Sequence, residues 1–218
     1  MSFLLILSAS SRNEFESKDL VYVERRGSSD WHSPSQCLWS SATSINGKVA
    51  INDHYAEFEH LFRKILNVPS LNLTMVYKEL LGAPSSGATT KRIKDLLLNF
   101  SSLLPAESNP PAPGRLRQRL IFPIKAPGER STTTCTAETE FFINDREDLF
   151  AAFGDRVRCF DFSLKDACRL RPLIIWAGLE SRYLSRCVEE VSKVRGGMQW
   201  PTQDSNRNVK NKAYSLLR

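Results

Sequence analysis

The chain has 218 residues, 41% of them hydrophobic and 25% charged, with a formal net charge of +6. That apolar share excludes a wholly disordered polypeptide, and the length is ample for one core or two small domains. The basic balance biases the surface toward acidic partners without naming one.

The opening run MSFLLILSA lacks a basic start and is shorter than a signal-peptide core, so it reads as a strand over Phe3 to Leu7. Nothing approaches the roughly 20 apolar residues of a membrane span. Further strands are expected at Leu20 to Glu24 and Lys48 to Ile51, with polar loop from Arg25 to Pro34. Three helices follow. Tyr55, Phe58, Leu61, Phe62, Ile65 and Leu66 share a face of the first, with Asp53 as N-cap. Leu73, Val76, Tyr77, Leu80 and Leu81 repeat the spacing, and Gly82 supplies a left-handed stop. Ile93, Leu96, Leu97, Phe100 and Leu104 form the third stripe, which Pro105 ends.

PAESNPPAPG, residues 105–114, disfavours helix and has little to bury. A boundary is expected there, between an N-terminal region of strands and three helices (1–104) and a second region over 115–195. The period then changes. Leu120, Phe122 and Ile124 alternate as a strand, which Pro123 pushes toward an edge or its own end. Phe141 to Ile143 is a second strand. Asp145 heads a short helix with Leu149, Phe150 and Phe153 buried and Gly154 at its end. Val157 to Phe162 is a third strand, so a small βαβ-like unit packed on helices is expected.

Ser163 caps the next helix, which stops before Pro172, and Pro172 opens another. Leu173, Ile174, Ile175 and Trp176 are too apolar for water, and Gly178 turns the chain. Leu179, Tyr183, Cys187, Val188 and Val191 share the buried face of a last helix, where Glu189 and Lys193 pair four apart. Residues 196–218 form a basic tail. The fold class is therefore α+β. The residues expected to hold it are Trp39, Phe122, Phe160, Pro172, Trp176, Gly178, Tyr183 and Leu184. Truncating Trp176 to alanine is expected to cost roughly 3–5 kcal/mol on full burial.

Reactive chemistry is sparse. The five cysteines, Cys37, Cys135, Cys159, Cys168 and Cys187, are odd in number and widely spaced. They point to free thiols in an intracellular protein of the cytoplasm or nucleus, against a disulfide framework or a zinc site. In that setting the two glycosylation sequons, at Asn72 and Asn99, carry no weight. There is no GxxxxGK[ST] and no GxGxxG, and Gly196–Gly197 matches neither. His32, His54 and His60 lack zinc-hydrolase spacing. A Cys37–His54 nucleophile pair has only its residue types behind it. Asp145, Glu147 and Asp148 sit at a helix start, where the dipole accounts for them. No catalytic residue, metal ligand or cofactor is expected.

Two basic groups stand out. Arg115, Arg117, Arg119, Lys125 and Arg130 flank one strand. Lys193, Arg195, Arg207, Lys210 and Lys212 crowd the C-terminal end, beside Trp200 and Tyr214. The second group supplies the alternative reading, a nucleic-acid-binding accessory protein, though no named nucleic-acid motif accompanies it.

Seven short motifs occur in order: CLWSS at 37–41, IFPIK at 121–125, FINDR at 142–146, DFS at 161–163, LRPL at 170–173, WAGL at 176–179 and RYLS at 182–185. KAYSLLR closes the chain at 212–218. The set resembles a region of very large filamentous-fungal proteins that carry an N-terminal Hsp90-type ATPase domain of the sacsin and NO VEIN kind. The matched region lies downstream of that domain, and the ATP-holding Asn helix and DxGxG loop have no counterpart here. The resemblance implies a scaffold or protein-interaction segment without ATPase activity. It also implies a stand-alone fragment or truncated homologue that stops mid-architecture. A non-catalytic protein-interaction module with a protein partner and no membrane contact is the expected function.

Overall fold

The structure, a computed structural model, describes residues 13–15, 17–25, 28–41, 45 and 47–189. The strand expected over Phe3 to Leu7 lies outside them. β1 (Val21–Arg25) pairs antiparallel with β2 (Ser28–His32), Tyr22 facing Trp31 across the ladder. The period of two turns Val21 and Val23 inward and Tyr22 and Glu24 outward. The loop expected over Arg25 to Pro34 is thus partly strand. Its polar composition reflects β2, where Ser29, Asp30 and Trp31 are exposed on both faces.

β3 (Cys37–Leu38) runs parallel to β4 (Val49–Ala50). The expected first helix is broken into α1 (Asn52–Tyr55), a 3₁₀ turn at Ala56–Phe58 and a π-helical turn at Leu61–Ile65. Ile51, not Asp53, occupies the N-cap, with no side-chain bond. The wide turn ends on Leu66 N–H donating to the Leu61 carbonyl at 2.9 Å, and Asn67 follows in the left-handed region at φ 51°. Phe62 and Leu66 are buried beneath it with Val21, Val23, Cys37, Trp39, Ile51 and Val68, while Phe58 is exposed.

α2 (Leu73–Gly82) begins where the Asn72 side chain accepts from the Met75 N–H at 3.0 Å. α3 (Thr90–Leu103) begins where Thr89 accepts from the Arg92 N–H at 3.3 Å. The stripe Ile93, Leu96, Leu97 and Phe100 is buried along α3. Gly82 is not the left-handed stop: it is the last helical residue, and Gly87 at φ 66° makes the turn. Pro105 lies in a 3₁₀ turn, Leu104–Ala106, that closes α3. Residues 105–114 then lead into α4 (Gly114–Arg117) as a loop laid on the core, which draws residues from both sides of it.

β5 (Phe122–Lys125) is the central strand of three, with β6 (Thr132–Cys135) and β7 (Cys159–Phe160) antiparallel on either side. Pro123 thus lies in a central strand, not an edge one, near its start; it has no N–H to give, and its carbonyl accepts from the Asp161 N–H at 2.8 Å just past β7. α5 (Glu147–Phe153) lies between Phe142 and β7, and Phe142 meets Cys159 in a parallel bridge. This is the smallest form of a βαβ connection. Arg146 occupies the N-cap of α5 in place of Asp145, and Phe150 is 42% exposed rather than buried.

α6 (Leu164–Arg169) starts at Ser163, whose hydroxyl accepts from the Asp166 N–H at 3.1 Å. α7 (Arg171–Trp176) carries Pro172 in its first turn. Leu173 and Ile174 are buried, Trp176 is half-buried and Ile175 is exposed. Gly178 turns the chain at φ 66°. The expected long last helix is a 3₁₀ turn at Glu180–Arg182 and a short α8 (Leu184–Cys187), with Cys187 exposed. One compact unit ends at Val188. Within it, helices α2, α3, α6 and α7 and the three-stranded sheet share the larger core.

Candidate functional site

The residues expected to hold the fold fall in four places. Trp39 is buried against Phe62, with ring centres 6.1 Å apart. Phe122 and Phe160 flank Phe141 in a stack at 6.0 and 5.6 Å. Pro172, Trp176 and Gly178 form the α7 turn, where Arg117 donates to the Ala177 carbonyl at 2.9 Å. Tyr183 bridges Ile143 and precedes the buried Leu184. No open cleft gathers them. Lys193, Arg195, Arg207, Lys210 and Lys212 lie outside the described residues.

The chemistry-bearing side chains are tied to structure. Cys37 donates to the Ser33 carbonyl at 3.3 Å, and burial pushes its thiol up to about 11. A nucleophilic cysteine needs the opposite shift. Burial likewise raises Cys135 and Cys159. Burial opposes ionisation of Asp161, but hydrogen bonds from Lys94 and Thr132 outweigh it and hold its carboxyl below the usual value. Asp145 accepts from the Ser185 N–H and hydroxyl at the start of α8. Asp148 is paired with Arg146. Among the described residues, no three His, Cys, Asp or Glu side chains are grouped to hold a metal ion, and no helix is long and apolar enough to cross a membrane.

A cavity of about 240 Å³ opens between the 125–130 loop and the 154–162 segment, with Phe150, Phe160 and Phe162 among Lys125, Arg130 and Asp155. That is below the ~300–1,000 Å³ of a typical small-molecule site.

The outer face of the β1–β2 ribbon is different. Trp31 is 55% exposed and Tyr22 39%, with ring centres 5.2 Å apart and planes tilted by 55°. The Tyr22 carbonyl accepts from the Tyr55 hydroxyl at 2.7 Å, which ties the ribbon to the first core. Two large rings are thereby presented on a braced element. The sequence singles out neither ring: Tyr22 reads as one residue of an expected strand, and the SSDWH stretch around Trp31 reads as polar loop. The available signal was the alternation of Leu20 to Glu24, which requires a partner strand.

A family model described as a domain of unknown function, DUF8348, matches residues 74–188, more than half of the chain. No curated protein and no solved structure matches it.

Proposed function

The chain belongs to the DUF8348 family, and we propose that it is a non-catalytic, intracellular protein-interaction module. The observation that carries this reading is the Tyr22–Trp31 pair: an exposed, braced couple of the two side chains most enriched at binding hot spots. Support comes from Cys37, Cys135 and Cys159, whose thiols burial raises, and from carboxylates engaged in caps and ion pairs. A scaffold role also agrees with the resemblance to the region downstream of Hsp90-type ATPase domains.

The test compares the wild-type chain with a Tyr22→Ser, Trp31→Ser double variant in quantitative affinity capture. The partner captured by the wild type is then titrated in purified form. A loss of about tenfold or more in affinity at an unchanged melting temperature supports the reading. Equal affinity for that purified partner overturns it. Duplex DNA titrated across salt forms the second arm. Binding that weakens steeply with salt would transfer the assignment to a nucleic-acid partner.

A further inference from the structure

The geometry points to the groove between Tyr77 and Trp176 as a recognition site for proline-rich segments, occupied in this chain by its own strap at Pro110–Pro113. The inference extends the interaction reading to another surface and does not rest on the Tyr22–Trp31 face.

The strap contains Pro110, Pro111 and Pro113, and residues 110–112 are neither helix, strand nor turn. Each proline fixes its own φ, and Asn109, Pro110 and Ala112 each precede a proline, which keeps them from the α region. An extended segment of this kind makes no internal hydrogen bonds and leaves its carbonyls bare. Two consecutive carbonyls are met here. The Trp176 indole N–H donates to Pro111 at 2.9 Å, and the Tyr77 hydroxyl donates to Ala112 at 3.2 Å.

The two rings cross at 88° with centres 6.5 Å apart. Beneath them lies Phe100, fully buried, 4.9 Å from Trp176 and 6.2 Å from Tyr77. Pro111 and Pro113 are half-buried while Pro110 and Ala112 are exposed, so alternate residues face the protein. Crossed aromatic walls with an indole and a phenol donor aimed at backbone carbonyls are the chemistry by which polyproline helices are held.

Both donors read main chain, not a side chain unique to the strap. A proline-rich segment of another protein can satisfy the same two bonds. The strap is anchored at both ends, by the 3₁₀ turn at Leu104–Ala106 and by α4, so its local concentration is high. It therefore holds the groove shut until displaced.

The test uses a fluorescent peptide copying residues 107–114, ESNPPAPG, in anisotropy titrations. In one variant the strap carries Pro110→Gly and Pro111→Gly. In a second, Tyr77→Phe and Trp176→Phe are added. The strap variant is expected to bind the peptide at least about tenfold tighter than wild type, and the added changes to remove that gain. A folded strap variant that ignores the peptide, or binding that survives loss of both donors, overturns the proposal. If the strap variant does not fold, the full wild-type chain is titrated with millimolar peptide while the Trp176 indole N–H is followed by NMR. A saturable shift, absent with a peptide whose prolines are alanine, supports the proposal; an unmoved resonance overturns it.

Discussion

The Asp145 carboxylate caps a helix to which it does not belong. It accepts from the backbone N–H of Ser185 at 3.1 Å, and from that residue's hydroxyl, 40 positions along the chain. A short helix such as α8 has little stability of its own, so a borrowed cap matters. Asp145→Ala is expected to cost about 1–2 kcal/mol, and Ser185→Ala less, because the backbone bond survives. Urea midpoints of the two single variants and the double variant check this: coupling between the sites is expected, and strict additivity would reject it.

Ser101 makes another pair of long-range bonds. It is fully buried on α3, donates to the Arg169 carbonyl at 2.8 Å and accepts from the Leu173 N–H at 3.3 Å. It thus satisfies backbone groups at the junction of α6 and α7. Ser101→Ala strands both and is expected to cost about 1–3 kcal/mol. A thermal melt within 1 °C of wild type would contradict it.

Burial sorts the thiols. Cys168 and Cys187 are exposed, whereas Cys37, Cys135 and Cys159 are buried and raised. Iodoacetamide at about pH 8 is expected to modify the first pair quickly and the other three only after denaturation. Mass spectrometry counts the adducts, and early labelling of Cys37 would refute its placement.

Asp161 gives the pH dependence. Its folded pKa lies below the ordinary 3.8 because Lys94 and Thr132 bond the carboxylate against the opposing effect of burial. The folded state then favours ionisation, so the stabilisation is present above that ordinary value and lost as pH falls through the lower folded one. The stability difference between wild type and Asp161→Asn is expected to hold from about pH 7 to 5 and to shrink below about 4. A difference that grows in acid would reverse the assignment.

Gly178 is held at φ 66°, and an added Cβ would stand 3.3 Å from an Arg117 guanidinium nitrogen. Gly178→Ala is therefore expected to destabilise by about 1–2 kcal/mol and to loosen the Arg117 bond to Ala177. Equilibrium unfolding measures the loss, and an unchanged midpoint would reject the strain.

Local signals were legible where local physics decides. The stripes of α2 and α3, the Ser163 cap, Pro172 at a helix start and Gly178 at a turn all follow from neighbouring residues. The helix expected over 53–66 was not that simple. Its dense apolar residues satisfy several periods, and the chain takes a 3₁₀ turn and a π-helical turn there, with Phe62 and Leu66 buried. Phe150 and Cys187 were expected inside but face outward, because α5 and α8 are too short for periodicity to fix a face. The Asp145 cap and the strap docked on Trp176 depend on partners 40 and 65 positions away, which one chain read locally does not announce; β2 pairs with the strand just before it, and its polar composition hides it.

Residues 37–39 act as a party wall. Cys37 and Trp39 belong to the smaller apolar cluster and Leu38 to the larger, so consecutive residues of β3 and the position after it serve two compartments. Repacking on one side shifts the other. The segment matched by the family model begins at residue 74, beyond that wall. Cut out alone, it would leave the seats of Leu38 and Ile45 vacant, like a room missing one partition.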